Sequence, residues 1–269
     1  MAAKKPRWPQ KLGKAPHTED KRDARLAEFL SPSSPRLADT GNYAMVDGRL
    51  YDFEEFPWGM LGNDKVGDCV PAMAAHSQLL DDAEGHRRLP GFVDDSVLGD
   101  YSAVTGYVKG KPSTDRGTEM REYLGYWRHT GIDDAAGRRH RIGFYAALDP
   151  KDLEQLAATV RAIGKVPIGF EVPAYAMDQF NAGEPFHLID GDDEIVGGHC
   201  VLVAGILGGY LVVVTWGTLA LMAPDFYVRY NDESWGYATG AMLDPQSGLT
   251  ISGLDVEKVR AYVRGLKGS

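Results

Sequence analysis

The sequence predicts an α+β fold, and three observations carry that expectation. Helical apolar periodicities crowd the first part of the chain, short β-like runs crowd the second, and no internal repeat or regular alternation of the two occurs. A Gly-rich loop, Gly62-Asn63-Asp64-Lys65-Val66-Gly67, leads straight into one of the helical patterns at Asp68-Cys69. At 269 residues the chain is long enough for one large domain or two small lobes, either with a full core.

The elements follow in order. Residues 1–42 are rich in Lys, Arg, Pro and Ser, with one helix-like patch over 23–30 that Ser31-Pro32-Ser33-Ser34-Pro35 must end. They read as a flexible basic N-terminal arm, and residues 43–269 as the folded domain. Residues 43–60 form an extended lead-in. After Cys69, apolar or small residues at Val70, Met73, Ala74, Ser77 and Leu80 share one helical face, and Gly85 is placed to end that helix. Pro71 is tolerated only in a first turn, which independently sets the helix start near Asp68 and Cys69.

A short helix is expected within 94–107, and a second over 119–129, where Met120, Tyr123, Leu124 and Trp127 lie in phase before Gly131. A strand over 138–148, a helix over 151–164 and a strand over 166–172 come next. Residues 173–198 read as one long loop, the kind that in compact domains is functional or mobile. Strands over 200–207 and 209–215 flank a Gly208-Gly209 turn. Further short strands are expected over 226–230 and 235–238, and a terminal amphipathic helix over 254–266.

Composition excludes several classes. Apolar residues make up 43% and charged residues 25%, as in an ordinary globular protein. The net charge of -9 disfavours nucleic acid as a partner, but it is uneven. Residues 1–25 carry eight Lys/Arg against three Asp/Glu, which leaves the remainder at -14, so the arm has an acidic partner available in its own body or elsewhere. The arm could also occlude a cleft as a leader, although it is short for that. Two cysteines cannot staple a scaffold, though Cys69 and Cys200 could form one bridge in an oxidising compartment. No metal-type ligand spacing occurs, so neither metal nor cofactor is expected. No secretory signal and no membrane-length apolar run occur, which points to a soluble protein made in the cytoplasm.

The chemistry concentrates at two places. Cys69 stands at a helix start, where unpaired amides favour thiolate over thiol. His199 follows 130 residues later in Gly197-Gly198-His199-Cys200, ahead of two β-like runs that end in Thr215-Trp216-Gly217-Thr218. A cysteine nucleophile paired with a histidine base is the skeleton of a thiol-nucleophile site, and the interval matches the roughly 130–150 residues of papain-type enzymes. Asn63 could donate its side-chain amide, and Cys69 its backbone amide, to a developing oxyanion. Asp68 is placed to cap the helix.

These residues resemble the papain-like cysteine peptidase superfamily over roughly residues 45–240. Asn63 sits six residues before Cys69, where that superfamily carries its oxyanion-hole glutamine. Gly67-Asp68-Cys69 is similar to the start of its central helix, Gly198-His199-Cys200-Val201-Leu202-Val203-Ala204-Gly205 to its histidine strand, and Trp216-Gly217-Thr218 to its tryptophan turn. Gly62-Asn63-Asp64, the run Tyr101-Ser102-Ala103-Val104-Thr105-Gly106-Tyr107, Tyr126-Trp127-Arg128, Gly131-Ile132 and Val214-Thr215-Trp216-Gly217 resemble a branch found in bacteria and tailed phages. The resemblance implies a papain-like fold, with a helical lobe built on the Cys69 helix and an antiparallel β lobe carrying His199. It also implies a cysteine peptidase or related thiol amide hydrolase working through an acyl-enzyme on a peptide or protein substrate, cytoplasmic or carried in a phage particle.

One departure stands out. The superfamily orients its histidine with Asn or Asp just before the tryptophan, whereas this chain has Val213-Val214-Thr215. Thr215 offers only a hydroxyl, which Trp216 would shield from water. The alternative is therefore a catalytically weak or inactive papain-fold protein used for binding, or as a phage-particle component.

Cys200 should face away from His199 into the core. His76 reads as packing, and His187 as a loop residue that could line a cleft. The acidic cluster over 190–194 lacks calcium-loop spacing, and Gly62-x4-Gly67 lacks the ending of a phosphate loop.

Overall fold

A computed structural model describes residues 10–29, 45–46, 49–50, 56–84, 89–191, 194–239 and 261. Two short strands, β1 (Met45–Val46) and β2 (Arg49–Leu50), pair antiparallel in the lead-in. The helical half follows: α1 (Cys69–Glu84), α2 (Asp94–Thr105) and α3 (Met120–His129). α2 stops at Gly106, in the left-handed conformation at φ 73°. β3 (Ile132–Asp133) and β4 (Arg139–His140) form a small hairpin, and β5 (Ile142–Leu148) enters the main sheet. Next come α4 (Leu153–Ile163), β6 (Val166–Pro173), α5 (Ala174–Ala182), β7 (Ile195–Leu207), β8 (Tyr210–Thr215), β9 (Thr218–Met222), α6 (Pro224–Tyr230) and β10 (Asn231–Thr239). In α4, Asp152 caps the helix by accepting from the Gln155 amide at 2.9 Å.

The main sheet is antiparallel, in the order β5-β10-β6-β7-β8-β9. β7 is its longest strand and is buried on both faces. Cys200, Leu202 and Ala204 pack with Val70, Met73, Ala74 and Trp127 of the helical half. Val201 and Val203 pack on the other face with Leu156, Val160 and Phe226 from α4 and α6. A strand covered on both sides reads as a continuous apolar run rather than an alternation, which is why 200–207 is so hydrophobic. Deep between α1 and the sheet, Lys165 pairs with Asp81, whose other oxygen accepts from the Thr239 hydroxyl at 2.7 Å. Burial pushes the Lys165 amine well below its ordinary range.

Two expectations need correction. Residues 226–230 form part of α6, not a strand. Pro224 supplies a preset first turn, and Phe226, Tyr227 and Tyr230 are buried on one helical face despite their β preference. Residues 173–198 are not one loop: α5 occupies 174–182, ended by Gly183 at φ 75°, and β7 already begins at Ile195. Ala174, Ala176 and Met177 carry the helical preference, which the neighbouring Gly, Asp and Pro obscured. The expected helix over 254–266 lies outside the described residues, as do 1–9 and 30–44 of the arm. Among the described residues no helix is long and apolar enough to cross a membrane, and no group of three metal-ligating side chains gathers.

Candidate active site

The Gly62–Gly67 loop delivers Cys69 to the head of α1. Leu61 and Gly62 both have positive φ, at 56° and 99°. A Cβ on Gly62 would stand 2.8 Å from an Asp68 carboxyl oxygen, so the turn has room only for glycine. Asp115 accepts from the Gly67 amide through both oxygens at 3.1 Å and from the Tyr101 hydroxyl at 2.7 Å. Tyr101 in turn accepts from the Gly117 amide at 3.0 Å. This network ties the cysteine loop to the 115–118 segment.

Across the cleft, β7 and β8 bring His199 and Thr215 together. His199 Nε2 lies 2.7 Å from the Thr215 hydroxyl. Trp216 lies flat on the imidazole, with centroids 4.2 Å apart and planes 12° from parallel. That pose uses a positive φ of 43° at Trp216, followed by Gly217 at 70°. Phe170, paired with His199 across β6 and β7, meets the ring edge-on at 5.9 Å. His199 Nδ1 is buried and has no hydrogen-bond partner among the described residues. Burial pushes the ring down to about 3, so it is neutral. Cys200 faces the other way and packs in the cluster that holds Cys69.

Cys69 is 2% exposed and His199 1%. Burial pushes the Cys69 thiol up to about 12. The backbone amides of Cys200 and Gly13 and the charge of Lys14 work in the opposite direction, while the charge of Asp68 adds to the rise. Asp68 is itself buried. Neither of its oxygens has a hydrogen-bond partner among the described residues, so the expected helix cap is not made. Desolvation raises its pKa well above the usual carboxylate range. Asn63 is also buried, and its side-chain amide donates to the Val66 carbonyl at 3.1 Å, closing its own turn.

What covers the site is the N-terminal arm. Lys11 N–H donates to the Asn63 carbonyl at 2.9 Å, and the amides of Gly13 and Lys14 both donate to the Gly198 carbonyl, at 3.1 and 3.0 Å. Ala15 N–H donates to Thr118 O, and Thr118 N–H to Gly13 O. Trp216 Nε1 donates to the Lys11 carbonyl at 3.2 Å. Residues 11–15 thus lie as an extended strand bonded to both walls, with Gly13 at the tightest point. A Cβ there would fall 1.9 Å from the Gly67 carbonyl oxygen. Ala24 and Leu26 continue the arm into the core beside β5 and β10. The expectation of a flexible arm gives way here to a docked one over residues 10–29.

The sequence offered the acidic body as a partner for the arm but did not point to the anchors, Asp232 and Glu233 on β10. The charge imbalance between arm and body was the available signal. His76, on α1, lies 3.0 Å from both the Trp58 and Gly59 carbonyls and is a core residue. His187 lies edge-on against Tyr210.

Thr215 is the one hydrogen-bond partner of the His199 ring among the described residues. Thr215→Val should leave a buried imidazole with no bond at either nitrogen and cost roughly 1–3 kcal/mol of stability in urea unfolding. Thr215→Asn, which restores a carboxamide, should raise Cys69 alkylation. An unchanged or lower rate would show that residue 215 does not orient the histidine.

Searches by sequence give no relatives: no family model and no curated protein matches the chain. Comparison by structure does. Xylellain, a cysteine protease from Xylella fastidiosa, superposes with a TM-score of 0.64 at 16% identity, covering 87% of this chain and 98% of that one. A procathepsin B S9 from Trypanosoma congolense superposes with a TM-score of 0.54 at 12% identity, covering 86% of each chain. The chain has the papain-like cysteine-protease fold.

Proposed function

Starting from that fold, we propose that the protein is a cysteine peptidase or related thiol amide hydrolase, held closed by its own N-terminal arm. The observation that carries this reading is the buried, unpartnered Nδ1 of a histidine whose other nitrogen is bonded to Thr215 and whose face is shielded by Trp216. A hydrogen on Nε2, donated to Thr215, leaves the Nδ1 lone pair free to take the thiol proton.

In this reading Cys69 attacks the scissile carbonyl. The imidazolium then protonates the leaving amine, and water activated by the same nitrogen hydrolyses the thioester. The backbone amide of Cys69, at the head of α1, stabilises the oxyanion. Asn63 contributes a side-chain N–H only if it turns from the Val66 carbonyl.

The closed state suits neither ionised partner, since desolvation drives both groups neutral. Lifting the arm admits water and substrate together. The inactive papain-fold alternative draws on Thr215, a weaker orienting group than a carboxamide. The two readings separate on intact-mass analysis of the chain mixed with an activated peptide thioester. The peptidase reading expects an acyl adduct on Cys69 that decays with release of free acid and is absent from Cys69→Ser. An adduct that never turns over, or none after the arm is displaced, supports the binding protein.

A further inference from the structure

The arm does more than cover the thiol, because one of its side chains fills a built pocket in the body. Lys14 leaves the docked strand next to Gly13 and runs inward past β6. A Cβ on Gly169 would stand 2.1 Å from Lys14 Cε and 2.8 Å from Met120 Sδ, so the channel exists only because residue 169 is glycine. At its end the ammonium lies 2.8 Å from Asp232 Oδ2 and 3.1 Å from Glu233 Oε1. It also donates to the Ala15 carbonyl at 3.1 Å. The side chains of Lys14 and Glu233 are each 1% exposed.

Glu233 is fixed in place by a 2.9 Å bond from Trp235 Nε1, and His17 Nδ1 lies 3.2 Å away. Its ion partners among the described residues, Lys14 and His17, both come from the arm. When the arm leaves, the body keeps a narrow channel with two adjacent carboxylates at its end, and among the described residues no cation of the body is paired with either. A buried carboxylate stripped of its partner is strongly destabilised, so the emptied channel favours whatever cation replaces Lys14.

We propose that this channel is a substrate subsite that selects a long cationic side chain of the lysine type, which Lys14 imitates in the closed state. The proposal rests on the hydrolase reading and names the substrate class for it. The subsite lies one residue along the docked strand from Gly13, whose backbone faces the Cys69 sulfur, so it adjoins the reacting atoms. Gly169 limits the bore to an unbranched chain, and the paired carboxylates set the charge.

The test uses full-length Lys14→Ala and n-butylammonium, a copy of the missing side chain, with n-butanol and tetramethylammonium at equal concentration as controls. The expected result is a rise of several degrees in Tm with n-butylammonium alone, absent from Lys14→Ala/Glu233→Gln. Equal shifts with all three, or none, would overturn the proposal. Should Lys14→Ala fail to fold, Gly13→Val, which displaces the arm while retaining every pocket residue, serves for the same comparison.

A second arm uses peptidyl acyloxymethyl ketones that differ only in carrying lysine or norleucine. Cys69 in the arm-displaced chain should be labelled at least tenfold faster by the lysine probe. Equal rates would overturn the subsite while leaving the thiol reading intact. Selective stabilisation by n-butylammonium with no labelling by either probe would support the cation pocket and sink the hydrolase reading.

Discussion

Gly13→Val should raise the rate of Cys69 alkylation by iodoacetamide near neutral pH at least tenfold, with far-ultraviolet circular dichroism unchanged. The first added carbon would fall 1.9 Å from the Gly67 carbonyl, and a carbonyl at the mouth of the cysteine loop cannot retreat without unpicking the Asp115 bonds to Gly67. The arm must therefore lift. Lifting re-solvates Cys69, whose thiol burial now pushes up to about 12. A solvated cysteine has a pKa near 8.5, lower still at a helix head, so its thiolate fraction near neutral pH rises by more than two orders of magnitude. Intermittent opening of the wild-type arm reduces the observed contrast, hence the tenfold floor. The fold should survive because Ala24 and Leu26, the arm residues embedded in the core, lie well beyond the point of substitution. A wild-type alkylation rate in a folded Gly13→Val chain would show that the docked strand does not limit access to the thiol.

His76→Gln should flatten the loss of stability on acidification. Burial holds His76 down to about 4, below its ordinary 6.5. A group whose pKa is depressed on folding binds more protons in the unfolded chain, so its contribution is complete above pH 6.5 and is lost as pH falls toward 4. Each unit is worth about 1.4 kcal/mol, so wild type should lose roughly 3 kcal/mol relative to His76→Gln between pH 7 and 4. The comparison must be made against the variant, because Asp68 and Asp100 run the other way. Burial raises both carboxyls, Asp100 to about 6, and acidification relieves their cost. Parallel stability curves for the two proteins would refute the buried neutral state of His76.

Much of the fold was legible because the relevant patterns are local. Pro71 and the spacing Val70, Met73, Ala74 set the start and face of α1, whereas Gly85, expected to end it, lies outside the described residues. The Gly208-Gly209 turn set the β7–β8 hairpin and so the meeting of His199 with Thr215. Those residues came from the sequence as a constellation, and in the structure His199 lies against Thr215 and Trp216. What was hidden depends on tertiary contact. Phe226, Tyr227 and Tyr230 prefer strands in isolation, and it is their packing against β6 and β10 that makes a helix of them. Asp68 makes no cap bond, and its carboxyl stands instead against the Gly62 turn, a placement set by the loop that folds over it. Lys14 looked like one basic residue among many in a polar arm, and nothing local to Asp232-Glu233 announces a pocket. Their pairing spans 218 residues.

If Cys69 and His199 act as one site once the arm is displaced, the pH profile of Cys69 alkylation in Gly13→Val will change when His199→Ala is added. A paired site predicts reactivity that persists well below pH 8 in Gly13→Val and retreats to the titration of an ordinary thiol when His199 is removed. Superimposable profiles for the two proteins would contradict it and leave a papain-like fold whose cysteine and histidine do not cooperate.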